Sequence, residues 1–187
     1  MNAETRQVTL AQFERDLQRS DAKIELVDGA VYAFAGGTHA HELLSRRIVR
    51  FFEDAVAPPC HAHGSDMAVQ RADKPTHCFP DASVSCESIT LETEKLIAPK
   101  LLVEVISPKS VMRDHVTKKY AYQAIASLEE YVLVDSRRVW VALYRRFADK
   151  RSWNEHVFGA GDTVLLASIE REIAVDDLYG GLSELLK

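Results

Sequence analysis

An ionisable residue set inside an apolar run constrains this chain more than any other feature. Glu104 lies within Leu101-Leu102-Val103-Glu104-Val105-Ile106, and Asp81, preceded by Pro80, opens Ala82-Ser83-Val84-Ser85-Cys86. Runs of this kind read as strands. A carboxylate on a buried or half-buried strand is costly to ionise unless a positive group offsets it. If the two runs are neighbouring strands, both side chains can converge on one divalent cation. A Pro-Asp pair alone is common at turns. Glu104 is harder to set aside, because Leu102 and Ile106 share its strand face. A hydrolytic metal site is the leading expectation.

With 187 residues and 47% hydrophobic content, the chain can bury a sizeable core. It is expected to form a single domain over residues 1–187, with a short N-terminal helix and a C-terminal helical tail. No apolar stretch approaches a membrane span, and Met1 to Arg6 carries no apolar signal segment, so a soluble cytoplasmic protein with no membrane partner is expected. Three cysteines without CxxC spacing fit a reducing compartment and argue against a disulfide framework. The net charge of -5 speaks against indiscriminate binding to nucleic acid. Charge is uneven, however: residues 105–151 hold ten basic side chains against five acids. A positive face suited to a phosphate-rich substrate is one reading, and a solvated edge of mixed charge is the plainer one.

Along the chain, Thr9 is placed to cap a short helix carrying Leu10, Phe13 and Leu17. Lys23 to Val27 alternates like a strand, Asp28-Gly29 is a hairpin turn, and Ala30 to Ala35 returns. After a bend at Gly36-Gly37, His41 to Ala57 has a helical stripe of Leu44, Ile48, Phe51, Phe52 and Ala55, ended by Pro58-Pro59. Met67 to Gln70 is a short strand and 72–77 a loop. Strands at 81–86 and 101–106 follow, then a helix from Ser110 or Asp114 to about Ala126. Tyr131 to Asp135 pairs with Val139 to Phe147. Further strands are expected at 153–158 and 163–166, and a helix at 176–186, broken near Gly180-Gly181. The fold class is α/β (α+β), a central mixed sheet flanked by helices.

Asp114, Lys118 and Tyr122 stand four residues apart and lie along one helix face. A lysine reaching the acids could hold water or steady the negative charge of a phosphorane-like transition state. The plainer reading of Asp114 and Lys118 is a surface ion pair worth a few tenths of a kcal/mol, about 0.3–0.5. Lys119 is an alternative, since helix phase is uncertain by one residue.

Several segments occur in an order that resembles a known family: Glu25 to Gly29, Ala35 to His41, Ser65 to Val69, Phe79-Pro80-Asp81, Leu102 to Ser110, then Asp114, Lys118, Tyr122, Glu130-Tyr131 and Val134-Asp135. This pattern resembles the Uma-two family, bacterial endonucleases of the PD-(D/E)XK restriction-endonuclease-like superfamily, over roughly residues 9 to 180. The resemblance implies a restriction-endonuclease-like core and a metal-dependent endonuclease acting on DNA. It makes Asp81 and Glu104 the metal-binding acids and Mg²⁺ the ion, with Mn²⁺ an alternative. The carbonyl of Val105 is then a further ligand. The superfamily's usual lysine two residues after the second acid is replaced here by Ile106, and Lys118 on the following helix matches the family's substitute. Glu25 and His41 match positions near the site, as an outer ligand, a water-orienting group, or packing and capping residues. Two carboxylates with further oxygen ligands suit a hard cation.

Cys60, His61 and His63, with His77 and Cys78, lack the spacing of a structural zinc site, and His39-x-His41 has little weight as a metal pair. No serine-hydrolase elbow, Walker-type loop or dinucleotide fingerprint follows an expected strand. Two readings remain. One is a metal-dependent nuclease; the other is a catalytically inactive nuclease fold serving as a binding or assembly module. A homodimer through Val139–Phe147 or the C-terminal helix is a further expectation.

Overall fold

The computed structural model describes residues 7–33, 37–71, 73–107, 113–149, 151–182 and 184. Its largest feature is a six-stranded sheet built from β3 (His61–Gly64), β6 (Ala82–Ser85), β8 (Pro99–Ile106), β9 (Glu130–Asp135), β10 (Val141–Arg146) and β11 (Trp153–Phe158). The strands run in the spatial order β11-β10-β9-β8-β6-β3. Only β8 and β9 are parallel, with Leu101 opposite Glu130 and Ile106 opposite Asp135. A parallel pair requires a crossover. Here it contains a π-helical turn, Arg113–Lys118, running into α3 (Lys119–Gln123).

Both faces of this sheet are covered, which explains the near-continuous apolar runs of β8 and β9. On one face Leu101, Val103, Val105, Val132 and Val134 pack against Leu44, Ile48 and Phe52 of α2 (His39–Ala55) and against Val175, Leu178 and Tyr179 of α4 (Val175–Tyr179). Arg47 fastens these helices by donating to the carbonyls of Leu178 and Gly180. On the other face Leu102, Ile106, Tyr131 and Leu133 meet Ala121 and Tyr122 of α3 and the edge of a second sheet.

That second sheet has the order β2-β1-β5-β4-β7, from β1 (Ile24–Val27), β2 (Ala30–Ala33), β4 (Ala68–Arg71), β5 (Thr76–Cys78) and β7 (Lys95–Leu96). Asp28 and Gly29 both take positive φ, 47° and 86°, as a two-residue hairpin turn demands. α1 (Leu10–Leu17) begins with a capping box in which Thr9 and Gln12 satisfy each other's backbone amides, and it buries Phe13. β12 (Thr163–Leu166) and β13 (Arg171–Ala174) form a separate ribbon.

The α+β class with mixed sheets flanked by helices is as expected, and a second sheet and a ribbon stand beside the first. Other expectations differ from the structure. Residues 76 and 77 of the expected loop belong to strand β5. The helix after β8 opens with a wide π turn; residues 108–112, which include Ser110, lie outside the described set. Cys60 and Cys86 form a disulfide, against the expectation from cysteine spacing. The ladder places His61 opposite Ser85, so the two cysteines face each other across the strand ends. Within the segments expected to support a homodimer, Val141, Leu143, Tyr144 and Leu178 are buried among the described residues. Phe147 alone among these apolar side chains stands well exposed. No helix among the described residues is long and apolar enough to cross a membrane.

His77 is buried between the rings of Phe13 and Phe79, with centroids 5.3 and 5.2 Å away. Neither ring nitrogen finds a hydrogen-bond partner. Burial, reinforced by the Lys95 ammonium and opposed by Glu14, lowers its pKa. The unfolded chain therefore binds the proton more readily. His77 contributes stability that is complete above the unfolded value of about 6.5 and lost as pH falls through it. Urea unfolding at pH 7.5 and 5.5 is expected to show a smaller acid loss for His77→Phe than for the wild type; equal losses would contradict this account.

Candidate functional site

The register between β6 and β8 assembles the site. Ala82 lies opposite Val103, so Asp81, one residue beyond the ladder, falls opposite Glu104. Glu104 projects from the face that α3 covers, where Tyr122 meets it. Asp81 Oδ2 accepts the Val105 amide at 2.7 Å and faces His41 Nε2 at 3.2 Å. On an antiparallel strand a residue's N–H and C=O turn to the same side, which puts the Val105 carbonyl on Asp81's side where β6 has ended.

Lys118 comes in from the opposite layer. The end of the π turn carries its ammonium between two acids, 2.8 Å from Glu25 Oε1 and 2.8 Å from Glu104 Oε1. Asp114 Oδ1 is 3.9 Å away, and Tyr122 donates its hydroxyl to Glu104 Oε1 at 2.9 Å. Glu25 Oε1 also accepts the Phe79 amide at 2.8 Å, which ties β1 to the segment leading into Asp81. The structure thus brings Glu25, His41, Asp81, Glu104, Val105, Asp114, Lys118 and Tyr122 together. Lys119 is excluded from this cluster: its ammonium rests over the Tyr144 ring at 4.8 Å.

The cluster is nearly sealed, with Asp81 6% exposed, Glu104 and Asp114 2%, and Lys118 and Glu25 0%. Three carboxylates, of Glu25, Glu104 and Asp114, therefore surround one buried ammonium. Burial pushes the Glu104 carboxyl well above its usual range; Lys118 opposes this, while Asp114, Asp81 and Glu25 add to it. Burial alone would lower the Lys118 ammonium, but Glu104 and Glu25 outweigh it and hold the group well above an ordinary lysine. It stays protonated at neutral pH. Burial lowers His41 as well, but the hydrogen bond to Asp81 prevails and raises it.

The donor set fits a hard cation on specific grounds. Protein hydrogen bonds engage Glu104 Oε1 and Asp81 Oδ2. Among the described residues none engages Glu104 Oε2 or Asp81 Oδ1. Each acid thus keeps one oxygen for another partner, and the surplus of negative charge favours a cation there. No group of three or more His, Cys, Asp or Glu side chains among the described residues is disposed to hold a metal. That argues against an all-protein cage of the kind Ca²⁺ or Zn²⁺ uses. Mg²⁺ sites in general rest on one or two carboxylates completed by water and phosphate oxygens.

The zinc alternative loses its ligands: Cys60 is in the disulfide, and His77 and Cys78 lie in the second sheet. Several described basic groups of the segment 105–151 are turned inward, while Arg137, Arg138 and Arg151 are exposed. Lys118 is enclosed, Arg145 is bound to Glu130, and Arg146 holds the carbonyls of Leu128, Gln123 and Ile125. Lys109 and Lys150 lie outside the described residues.

Beside Asp81 and His41 opens a groove of about 910 Å³, whose walls include α2, Lys23 and Phe79. A Cβ at Gly37 would meet His41 Nδ1 at 2.9 Å and Cγ at 3.1 Å. A crystal structure of Gly37→Ala is expected to show the His41–Asp81 contact opened beyond hydrogen-bonding distance. An unmoved ring would mean that residues 37–41 yield instead. Glu25, which the resemblance placed near the site, bears the same mark as Glu104: it too is an acid between apolar strand residues.

Comparison with known proteins agrees with this architecture. Residues 10–176 match the family described as "Uma2: Putative restriction endonuclease". The chain is 32% identical over 168 residues to the uncharacterized protein slr1290 of Synechocystis sp., covering 89% of this chain and 88% of that one. A second Synechocystis protein, sll1609, is 26% identical over 155 residues, covering 81% and 87%. The crystal structure of a "putative nuclease belonging to DUF820" from Anabaena variabilis superimposes with a TM-score of 0.73, at 19% identity, over 92% of this chain and 97% of that one. At that identity the likeness concerns the fold, which is nuclease-like. With most of its length matched by the family profile and by a relative above 30% identity, the chain belongs to the Uma2 family of restriction-endonuclease-like proteins.

Proposed function

We propose that the protein is a divalent-metal-dependent endonuclease that hydrolyses phosphodiester bonds in DNA. One observation carries the reading: Asp81 and Glu104 lie on adjacent strands, each with one carboxylate oxygen fixed by the protein and the other left open, beside a buried ammonium. Asp81, Glu104 and the Val105 carbonyl would hold Mg²⁺ or Mn²⁺. When bound there, the ion supplies Lewis-acid polarisation of the phosphodiester and a more acidic water.

The chain's own groups do the remaining work. Lys118, kept protonated by Glu25 and Glu104, is no general base; it contributes fixed positive charge where negative charge builds on phosphorus. Tyr122 and Lys118 together orient the Glu104 carboxylate. Glu25 holds Lys118 and the Phe79 amide with one oxygen, so the lysine and the Asp81 segment keep a common position. His41 holds Asp81 from the groove side.

A second reading has an observation in its favour. Lys118 already bridges two acids at 2.8 Å, as it would in a nuclease fold that no longer cuts and serves as a binding or assembly module. A supercoiled-plasmid assay separates the two. The nuclease reading expects nicking by the wild type with Mn²⁺ or Mg²⁺, none in EDTA, and none with Asp81→Asn. Equal nicking by Asp81→Asn would place the activity elsewhere, and no nicking by the wild type would favour the binding module.

A further inference from the structure

We propose that the groove beside Asp81 takes a single strand of nucleic acid, with α2 as the wall that binds phosphates and Phe79 as the surface on which a base stacks. This rests on the nuclease reading of the acid cluster and names the form of substrate that reaches it.

Arg46 and Arg50 are exposed on α2 and line the groove. Four residues apart, they stand about 6 Å from each other along the helix axis, close to the spacing of successive phosphates on an extended strand. Arg50 has no ion pair or hydrogen bond among the described residues. Arg46 meets only the exposed Glu42, at 3.5 Å, so both guanidinium groups are available to a ligand.

Phe79 lines the same groove, two residues before Asp81, and its ring is half-buried. The Lys23 ammonium lies over this ring, 4.8 Å from its centroid, and also meets Asp66 Oδ1 at 3.2 Å and the Ser65 carbonyl. An aromatic face beside a cation is the surface on which unpaired bases stack, with little regard to sequence. The Phe79 amide is anchored to Glu25, so a base stacked there is placed relative to the acids that would cut its phosphodiester.

A duplex fits poorly. Glu42, Glu53 and Asp54 share the groove with its three cations, and Asp81 closes its inner end. Duplex affinity comes from many simultaneous phosphate contacts, and the described basic groups of 105–151 are largely turned to internal partners. The acids are also nearly sealed, which favours a narrow strand over a double helix.

Fluorescence anisotropy in EDTA tests this without cleavage, using labelled oligothymidylate and a labelled hairpin duplex. Wild-type protein is expected to bind the single strand about tenfold or more tightly than the hairpin. Replacing both arginines with alanine should lower the salt slope of single-strand binding by about 1.4, the value for two lost phosphate contacts. Phe79→Leu should weaken binding with the salt slope kept. Melting temperatures of these variants check the fold. Equal or tighter binding of the hairpin would overturn the proposal, as would an unchanged salt slope in the double arginine variant. Strand binding in EDTA without cleavage of the same oligothymidylate once Mn²⁺ is added would overturn the nuclease reading alone, because binding in EDTA does not involve the metal site.

Discussion

Lys118→Met is expected to destabilise the protein by about 3–5 kcal/mol, the usual consequence of removing one partner from a buried charge cluster. Methionine fills similar volume, so the loss reports charge rather than a cavity. Glu25 and Glu104 would then sit buried without the ammonium that both touch at 2.8 Å. Their only remedy is to take up protons. The carboxyl pKa in the folded variant rises above its unfolded value, the folded state binds more protons, and stability falls as pH rises through the acid range toward neutrality. The variant should therefore be relatively more stable at pH 5 than at pH 8, the reverse of the His77 contribution. Adding Glu104→Gln to Lys118→Met removes one unpaired charge and should recover part of the loss. Urea unfolding of the four proteins in this double-mutant cycle measures it. A loss below about 1 kcal/mol would fit a surface ion pair and contradict the burial of Lys118.

The second large effect concerns Glu104→Gln. The amide oxygen can still accept from Lys118 and Tyr122, so the variant should fold and keep its melting temperature within a few degrees. Its nitrogen, however, replaces the one oxygen that no protein group engages. Plasmid nicking with Mn²⁺ should fall by about a hundredfold or more, since metal-borne charge stabilisation is worth several kcal/mol. Retained nicking in a well-folded variant would remove Glu104 from the chemistry.

Glu104 and Asp81 were legible in the sequence for a simple reason. An acid inside an apolar run has few structural uses, and two such runs close in sequence can pair as strands. The pairing itself needed the register of Ala82 with Val103, which no spacing reveals. Lys118 was placed by its distance of four from Asp114 and Tyr122; the choice against Lys119 came from the π turn, which a helical stripe does not announce. Thr76–Cys78 was missed because a three-residue polar strand owes its form to β1 and β4 on either side rather than to its own propensity. The Cys60–Cys86 disulfide is likewise a product of the β3–β6 ladder. The basic segment misled in part, for the opposite reason: composition counts charges, while Arg145 and Arg146 spend theirs on Glu130 and on backbone carbonyls.

Calorimetric titration of Mn²⁺ into the folded wild type, Asp81→Asn and Glu104→Gln bears most directly on the shared-cation site. The account predicts one binding event in the wild type that both substitutions abolish while the variants remain folded. Binding that survives either substitution, or no binding to the wild type, would contradict it.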